Sequence, residues 1–576
     1  MKIMQIKRFL ALIMAAVLAF SLGGCGNRGE DEPAPETEVT EKDELVLYHQ
    51  STAIAPMLMS IAEEYSSATG KKITPKLAGN DFLGEMKNSG GAVYIVDTHS
   101  DLSVWHSEGM FADFMNDSGL SSLFGGIPAG IQLNKEGIGS YGIPLMLEGY
   151  GLIVDKTMLR DLFGEESEEL LEKLKTCSFT EFEGFAAAAE TYISAPSAAK
   201  ITIGGKEFSF LPEKTGKAKN LTGVFSLNNE STRAAEHLLS AALGAKFSSR
   251  YEVMTAGEEA ISGMEKVFSA YAKALDFMTS HISGAEGSIG RGEEFTGGDY
   301  NYSTAIDLFT RGNALFYAGG TSDAADFEKS SEGFSENLDI IPLKLPIAEE
   351  DITAAGMTAE KLQSSIIIGS RYYLTLNPKA SEELSAEARD FINWLSNDEA
   401  GKAAYSKAFG TVPHNFEYLM TEENENSGNS GNTENPAGEI PAPEGKTSSK
   451  SESTEDKTEN GTLSSENEEQ SPEESKPSDG ENPGNGENAP TFGEGNPSHR
   501  IENSLMASLG EYYAKGNWLP DMTFALPADF AEKILGNSLS DYWGMADWSE
   551  KDRRNFVDTI IGGWKERLDK DKTAVG

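Results

Sequence analysis

Residues 45–77, LVLYHQSTAIAPMLMSIAEEYSSATGKKITPKL, contain the pattern that decides the fold. The apolar run Leu45–Tyr48 predicts a buried strand, and the apolar residues spaced three and four apart after Met57 predict a helix that ends at Gly70. A second strand follows, and a third is predicted at Val93–Val96. Strands that alternate with helices indicate a parallel sheet covered by helices, and therefore the α/β class.

Ligands of such sheets bind beyond the carboxyl ends of the strands, so the loops after the first and third strands are of interest. These loops contain side chains that donate or accept hydrogen bonds: Tyr48, Gln50, Ser51, Asp97, Ser100 and Asp101. Tyr48 could equally be a core residue of its strand. Asp97 and Asp101 could instead be charges at the start of the next helix.

A series of short segments, in the same order along the chain, resembles the family 1 extracellular solute-binding proteins of ABC importers, which include maltose- and oligosaccharide-binding receptors. The segments are 44–74, Gly109–Phe114, Tyr141–Pro144, Gly149–Lys156, Arg311–Phe316 with Gly319-Gly320, Phe391–Leu395 through Gly410–Pro413, and Phe524–Trp564. Two positions depart from the family pattern. Ala92-Val93 replaces a frequent Pro-Asp, and Thr321 replaces an aromatic residue that often stacks on sugar.

The resemblance implies two α/β lobes in a periplasmic-binding-protein-like fold of type II, with a cleft between the lobes and a hinge that closes on the ligand. The first lobe is expected at 43–147 plus 368–415, and the second at 150–363 plus 500–572. The resemblance also implies a monomer without cofactor or catalytic activity, which delivers its solute to ABC permease subunits.

Carbohydrate is the solute class that the resemblance favours. A sugar has apolar C–H faces and a rim of hydroxyl groups, so its receptor needs aromatic rings beside carboxylates and amides. Four further candidates join the six loop residues: Glu148, Tyr150, Thr321 and Trp518. Tyr150 could also be a core residue. Trp518 is predicted to be an exposed indole in a loop, because it lies between Gly516-Asn517 and Pro520.

The N-terminus predicts an exported protein. A basic start followed by the uncharged apolar run Phe9–Phe20 indicates a secretory signal peptide at residues 1–24. The sequence Leu22-Gly23-Gly24-Cys25 resembles a bacterial lipobox, which would make Cys25 the lipid-modified first residue of a chain anchored to the outer face of the cell membrane. Ordinary cleavage beside an incidental cysteine is the alternative. Residues 25–44 have the composition of an acidic, flexible tether.

The chain is strongly acidic, with 48 Lys and Arg against 92 Asp and Glu and a formal charge of −44. This excess argues against nucleic acid as a partner, because phosphate binding needs a basic face. Nineteen acidic residues and four lysines lie between 421 and 498, where large apolar residues are scarce. The segment is predicted to be a disordered insertion, and a tolerated surface loop is favoured over a partner-binding or wall-spanning element.

Other functional classes have weaker support. The chain contains no Gly-x-Ser-x-Gly, Walker A or His-Glu-x-x-His motif, so no enzyme is predicted. A metal-ion receptor stays open, because His49, His99, Asp101 and His106 could contribute ligands, although their spacing matches no recurrent pattern. A structural or adhesive lipoprotein that has lost ligand binding is the third possibility. Cys177 is predicted to be a small buried apolar residue.

Overall fold

The computed structural model describes residues 44–97, 102–117, 119–124, 127–135, 139–229, 232–409, 504–527 and 529–574. The predictions for the signal peptide, for Cys25 and for nearly all of the tether lie outside these residues. So do those for Ser100, Asp101 and the insertion 421–498. Within the described ranges, no helix combines the length and the apolar character needed to cross a membrane.

Strands and helices alternate along most of the described chain. The strands are β1 (Leu45–His49), β2 (Ile73–Leu77), β3 (Val93–Asp97), β4 (Leu133–Lys135), β5 (Gly139–Pro144), β6 (Leu147–Asp155), β7 (Lys200–Ile203), β8 (Lys206–Ser209), β9 (Gly223–Ser226), β10 (Ile282–Ser283), β11 (Ser288–Ile289), β12 (Ala314–Gly320), β13 (Leu338–Ile341), β14 (Ile366–Ser370), β15 (Tyr372–Leu376) and β16 (Trp518–Pro520). The α/β class predicted from the sequence is confirmed.

The α-helices are α1 (Ala55–Thr69), α2 (Phe82–Ser89), α3 (Leu102–Ser107), α4 (Ser121–Phe124), α5 (Lys156–Phe163), α6 (Ser167–Thr176), α7 (Phe179–Ser194), α8 (Thr232–Lys246), α9 (Arg250–Met254), α10 (Glu258–Ser262), α11 (Glu265–Thr279), α12 (Glu293–Thr296), α13 (Tyr302–Thr310), α14 (Ala324–Ser330), α15 (Ala359–Ser364), α16 (Glu382–Asn397), α17 (Glu399–Phe409), α18 (Ser504–Lys515), α19 (Asn537–Trp543) and α20 (Glu550–Ala574). A π-helical segment at Phe530–Gly536 precedes α19.

The chain forms two compact units. Of the described residues, the first contains those within 44–124, 139–143 and 372–408, and the second contains those within 127–135, 144–371, 409 and 504–574. Residues 127–135 were expected in the first lobe. They group with the second unit, where the carbonyl of Gln132 accepts a hydrogen bond of 2.8 Å from Arg250 Nη1. Strand β6, expected to cross between the lobes, belongs wholly to the second unit.

The first unit is built on a sheet with the strand order β2-β1-β3-β15-β5. Strand β1 is parallel to β2 and β3, while β15 runs antiparallel to β3. The strand–helix–strand pattern predicted from residues 45–77 is confirmed. Gly70 ends α1 in the left-handed conformation, at φ +71°, with its N–H donating to the Ser66 carbonyl, because glycine adopts this conformation at little steric cost.

Aromatic rings fill the core of the first unit on the faces of its sheet. Tyr65 of α1 packs edge-on against Phe391 and Trp394 of α16, with ring centroids 5.2 and 5.0 Å apart. Tyr94 of β3 stacks on Trp105, and its hydroxyl donates to the Met110 carbonyl. Edge-on and offset stacks of this kind are the favoured aromatic geometries, so the helices are held in defined positions on the sheet.

The second unit is built on a mixed sheet with the strand order β11-β10-β9-β12-β6-β14-β16, in which β13 also pairs with β6. Strands β9 and β12 are parallel, and so are β14 and β16, while β6 is antiparallel to β12 and β14. The carboxyl ends of β12, β14 and β16 therefore meet the start of β6 at one edge of the sheet. Ligands of α/β sheets bind beyond the carboxyl ends of strands, so a site is expected at this edge.

Strand register assigns side chains of this sheet to its two faces. Tyr150 of β6 pairs with Ile367 of β14, which pairs with Leu519 of β16, so these three residues share one face. Helix α8 lies on this face, since a Cβ added to its Gly244 would lie 3.8 Å from Leu519. Helix α18 covers the other face, where a Cβ added to Gly149 would lie 2.8 Å from Leu509.

Candidate functional site

A polar group lies at the carboxyl edge of the first sheet. Ser51 follows β1, and its hydroxyl is 2.9 Å from the hydroxyl of Tyr372, the first residue of β15. Tyr372 pairs in register with Asp97, the last residue of β3. The structure therefore brings the predicted residues Ser51 and Asp97 to one place. Tyr372, which joins them, was missed from the sequence because its position depends on a partner strand far away in the chain.

The other described candidates of this loop have different surroundings. Tyr48 is 6% exposed, and a Cβ added to Gly91 would lie 2.5 Å from its ring, so it occupies the core position left open from the sequence. Gln50 is exposed, and its amide donates to the Gly79 carbonyl at 3.3 Å. His49 is buried with Nδ1 3.0 Å from the Ser51 carbonyl, and burial lowers its pKa.

A second polar group lies on the α8 face of the second sheet. Glu148 and Tyr150 are two residues apart on β6, so they share this face, and the Tyr150 hydroxyl donates to the Glu148 carboxylate. The Tyr150 ring stacks on the imidazole of His237 in α8, with centroids 3.6 Å apart and planes 11° from parallel. All three residues are buried, at 7–8% exposure. His237 was missed, since nothing in a helical sequence marks a contact with a distant strand.

Glycine makes room for this group. Gly320 ends β12 in register with Tyr150, and an added Cβ would lie 2.7 Å from the Tyr150 ring. The next residue, Thr321, is 2% exposed, and its hydroxyl accepts a 3.1 Å hydrogen bond from the Gly149 N–H. The described contacts of Thr321 thus fix the backbone beside Glu148 and Tyr150.

Asp521 adds a carboxylate to the same edge. It follows β16, and its N–H donates to the Ile368 carbonyl at 2.9 Å. Its side chain lies against Gly369, where an added Cβ would be 2.7 Å from the Asp521 Cβ, and Gly369 pairs in register with Glu148. Two largely buried carboxylates, at 7% exposure each, therefore lie in one row with a bare glycine between them. Carboxylates in this arrangement can accept hydrogen bonds from hydroxyl groups.

Trp518 lies apart from this group. The sequence predicted a loop at this position, but Trp518 begins strand β16, in register with Ile366. That register assigns it to the α18 face, opposite Tyr150, where its half-buried indole stacks on Tyr513 with centroids 5.7 Å apart. The loop prediction failed because β16 exists through pairing with β14, and Pro520 is tolerated at the end of an edge strand.

Metal ligands do not assemble in the part of the chain that the structure describes. There, no three His, Cys, Asp or Glu side chains come together as a metal site would require. The ring of His106 packs edge-on to Tyr141, with centroids 5.1 Å apart, and His49 contacts the backbone as described above. His99 and Asp101, the other two residues considered for a metal, lie outside the described residues.

A small cavity of about 60 Å³ lies elsewhere in the second unit. Its lining residues are Glu172, Lys175, Thr176, Ser364, Glu511, Tyr512, Lys515 and Asn517. The charged groups are paired: Lys175 Nζ is 2.7 Å from Glu172 and 3.2 Å from Asp339, and Lys515 contacts Glu511. Cys177, at the end of α6 nearby, is buried as predicted. The cavity contains none of the predicted site residues.

Comparison with known proteins gives the family. Residues 77–427, more than half of the chain, match the family model described as bacterial extracellular solute-binding protein. Among curated protein sequences, none matches the chain.

Solved structures of solute-binding proteins are similar to this chain at low sequence identity. One from Streptococcus pneumoniae, in complex with the blood group A-trisaccharide, is 12% identical, with a TM-score of 0.47 and coverage of 91% of this chain and 99% of that one. One from Agrobacterium radiobacter K84, in complex with ribitol, is 11% identical, with a TM-score of 0.45 and coverage of 91% and 98%. A family 1 member from Bifidobacterium longum subsp. infantis is 16% identical, with a TM-score of 0.38 and coverage of 64% and 81%.

The family predicted from the sequence is thereby confirmed. The chain belongs to the bacterial extracellular solute-binding proteins, which are non-enzymatic transport receptors that work with ABC permeases.

Proposed function

We propose that the solute is a carbohydrate, and that its hydroxyl groups bind at the carboxyl edge of the second sheet. The observation that carries this proposal is the group formed by Glu148, Tyr150 and His237, in which a buried carboxylate, a phenol and an imidazole are held together. The Ser51–Tyr372 pair, with Asp97 beside it, is the corresponding polar group of the first unit.

The chemistry of these groups suits a polyhydroxyl ligand. A carboxylate accepts several hydrogen bonds and a tyrosine hydroxyl both donates and accepts, so together they match the hydroxyl rim of a sugar. The Tyr150 ring is fixed by His237 on one side and by Gly320 beneath it, so little side-chain entropy is lost on binding. Amino acids and divalent metals are the competing ligand classes.

A ligand screen with two variants tests the proposal. Mature protein is screened by thermal shift against raffinose, maltose, galactose, amino acids and divalent metals, and hits are measured by calorimetry. Glu148→Gln is expected to weaken binding of the stabilising sugar by about 10- to 100-fold, because a hydrogen bond to a charged group contributes about 1.5–3 kcal/mol. Trp518→Ala is the matched comparison on the opposite face of the sheet.

The two variants separate the two faces as binding sites. A loss of affinity in Glu148→Gln supports the α8 face. A loss in Trp518→Ala alone would place the solute on the α18 face, as the sequence predicts for Trp518, and would contradict the proposed site. Stabilisation by metals or amino acids without any response to sugars would contradict the carbohydrate assignment.

We further propose that the protein is anchored to the outer face of the cell membrane through a lipid on Cys25. The lipobox-like Leu22-Gly23-Gly24-Cys25 and the preceding signal-like segment support this proposal. Cys25→Ala is expected to move the protein from the membrane fraction to the soluble fraction after detergent-free lysis. A protein that stays in the membrane fraction with alanine at this position would refute the anchor.

A further inference from the structure

Arg250 is a buried arginine whose described hydrogen bonds go to backbone carbonyls of two separate segments. It is 3% exposed and is the first residue of α9. Its Nε donates to the Asp521 carbonyl and its Nη1 to the Gln132 carbonyl, both at 2.8 Å. Hydrogen bonds from a charged donor are stronger than neutral ones, and burial makes them stronger still. The guanidinium therefore joins residues about 390 positions apart in the sequence.

The segment that contains Gln132 is held close to β16. The Gln132 side chain donates to the Ile127 carbonyl, which closes the segment on itself. Gly130, in the 3-10 turn at Ala129–Ile131, lies against the start and end of β16: an added Cβ would be 3.2 Å from Pro520 and 3.3 Å from the Trp518 indole. Any movement of this segment thus changes the surroundings of Trp518.

The other carbonyl belongs to a residue of the candidate site. Asp521 lies in the row that contains Gly369 and Glu148, at the edge where the solute is proposed to bind. Ser240 of α8 supports the same turn, since its hydroxyl accepts from the Met522 N–H at 2.7 Å. Arg250 and Ser240 both act on the backbone. The Asp521 carboxylate is held within its own turn through Oδ1, which accepts from the Thr523 N–H at 2.9 Å and from the Thr523 hydroxyl at 2.6 Å. Its Oδ2 lies towards Gly369, where an added Cβ would be 3.2 Å away.

We propose that Arg250 is a positioning residue of the solute site, which fixes Asp521 in line with Glu148 and holds the Gln132 segment against β16. The inference rests on the proposed function for its relevance to binding, but the positioning itself is testable without a ligand. Trp518 is the reporter, because it is three residues before Asp521 and touches Gly130.

The first experiment measures the accessibility of Trp518 by acrylamide quenching. Of the six tryptophans, Trp518 and Trp548 are half-buried and the other four are buried. In a Trp548→Phe background, Arg250→Gln is expected to raise the quenching constant of the accessible fraction about twofold, as local opening exposes the indole. In a Trp518→Phe background, where Trp548 is the half-buried indole, the constant should not change.

Two further variants keep the result decisive. Arg250→Lys retains a cation that reaches one of the two carbonyls, so it should give an intermediate rise in the quenching constant. It replaces Arg250→Gln if that variant does not fold. Arg291→Lys disturbs another buried arginine of the same unit, one that donates to the Tyr542 carbonyl, and should leave Trp518 quenching unchanged. Equal rises at Trp518 and Trp548, or no rise at Trp518, would overturn the proposal.

The second experiment links the position of Asp521 to affinity. Raffinose, maltose and galactose are titrated into wild type, Arg250→Lys, Asp521→Asn and the double variant. A loss of about tenfold is expected for each single variant, the equivalent of one charge-assisted hydrogen bond, with no further loss in the double variant, because one residue acts through the other. Additive losses would overturn the role of Arg250 in positioning Asp521. If no sugar binds wild type, the proposed function fails, while the quenching result still tests the positioning role of Arg250.

Discussion

Asp276→Ala is expected to reduce the free energy of unfolding by about 3–5 kcal/mol, the usual loss when one partner of a buried ion pair is removed. The Asp276 carboxylate, 3% exposed, accepts from Arg291 Nη1 at 2.5 Å and from the Tyr542 hydroxyl at 2.7 Å. Its second oxygen accepts from Arg553 Nε at 2.6 Å. Alanine leaves the buried Arg291 guanidinium without its carboxylate, and it also releases α20, which carries Arg553, from α11.

Urea unfolding followed by tryptophan fluorescence measures this loss, since four of the six tryptophans lie in the second unit. Glu207→Ala is the matched control. Its exposed pair with Lys200 in the β7–β8 hairpin should contribute about 0–1 kcal/mol. Asp276→Asn keeps an acceptor without the charge, so it should fall between the two variants. A loss below about 1 kcal/mol in Asp276→Ala would mean that the three partners find other acceptors.

The local parts of the fold could be predicted from the sequence. The run Leu45–Tyr48, the helical spacing after Met57 and the cap at Gly70 are short-range signals, and the strand, the helix and its end lie where they were predicted. The third predicted strand, Val93–Val96, is also confirmed. Periodicity and capping act within about one turn of the chain, so a single sequence contains enough information for them.

The non-local parts could not be predicted. Gly516, Asn517 and Pro520 around Trp518 indicate a loop, yet pairing with β14 makes the segment a strand. The Asp276 network joins α11 to α19 and α20 through contacts between residues more than 250 positions apart. A sequence contains no signal for such contacts without the fold.

The residues of the candidate site also divide into those with short-range sequence signals and those without. Glu148, Tyr150, Ser51 and Asp97 were predicted as candidates because the carboxyl ends of strands could be located from short-range signals and from the family resemblance. His237, Asp521 and Tyr372 were missed, because each reaches its edge through a strand or helix whose neighbour is distant in sequence. The acidic excess of the chain did not help, since it gave too many carboxylates to choose among.

Lys344 makes the stability of the second unit depend on pH above neutrality. It is 4% exposed, and burial lowers its pKa to about 8, although the nearby Cys177 and Glu181 act in the opposite direction. Its ammonium donates to the Gln363 carbonyl at 2.6 Å and to the Lys175 carbonyl at 3.2 Å, near the ends of α15 and α6. These carbonyls lack helical partners, so they favour a cation, but they do not fully replace water.

The sign follows from the two pKa values. Between pH 8 and the ordinary lysine pKa of 10.5, the unfolded chain binds a proton at Lys344 that the folded chain does not, so stability rises with pH in this window. Below pH 8 both states are protonated and the cost of the buried charge is constant. The gain across the whole window is about 3 kcal/mol, since one pKa unit corresponds to about 1.4 kcal/mol.

Wild-type stability relative to Lys344→Met is therefore expected to increase by about 2–3 kcal/mol between pH 7 and pH 10. Burial raises the pKa of Cys177, which makes the folded state lose stability above pH 9. To remove this opposing effect, the comparison is made in a Cys177→Ala background, with lysine or methionine at position 344. Lys266→Met is the control, because its ammonium is exposed beside Asp351, and its curve should run nearly parallel to that of wild type. Urea unfolding at half-unit pH steps gives the difference directly. A difference that stays constant across the window would mean that Lys344 keeps an ordinary pKa in the folded protein, and that the two helix-terminal carbonyls compensate fully for its burial.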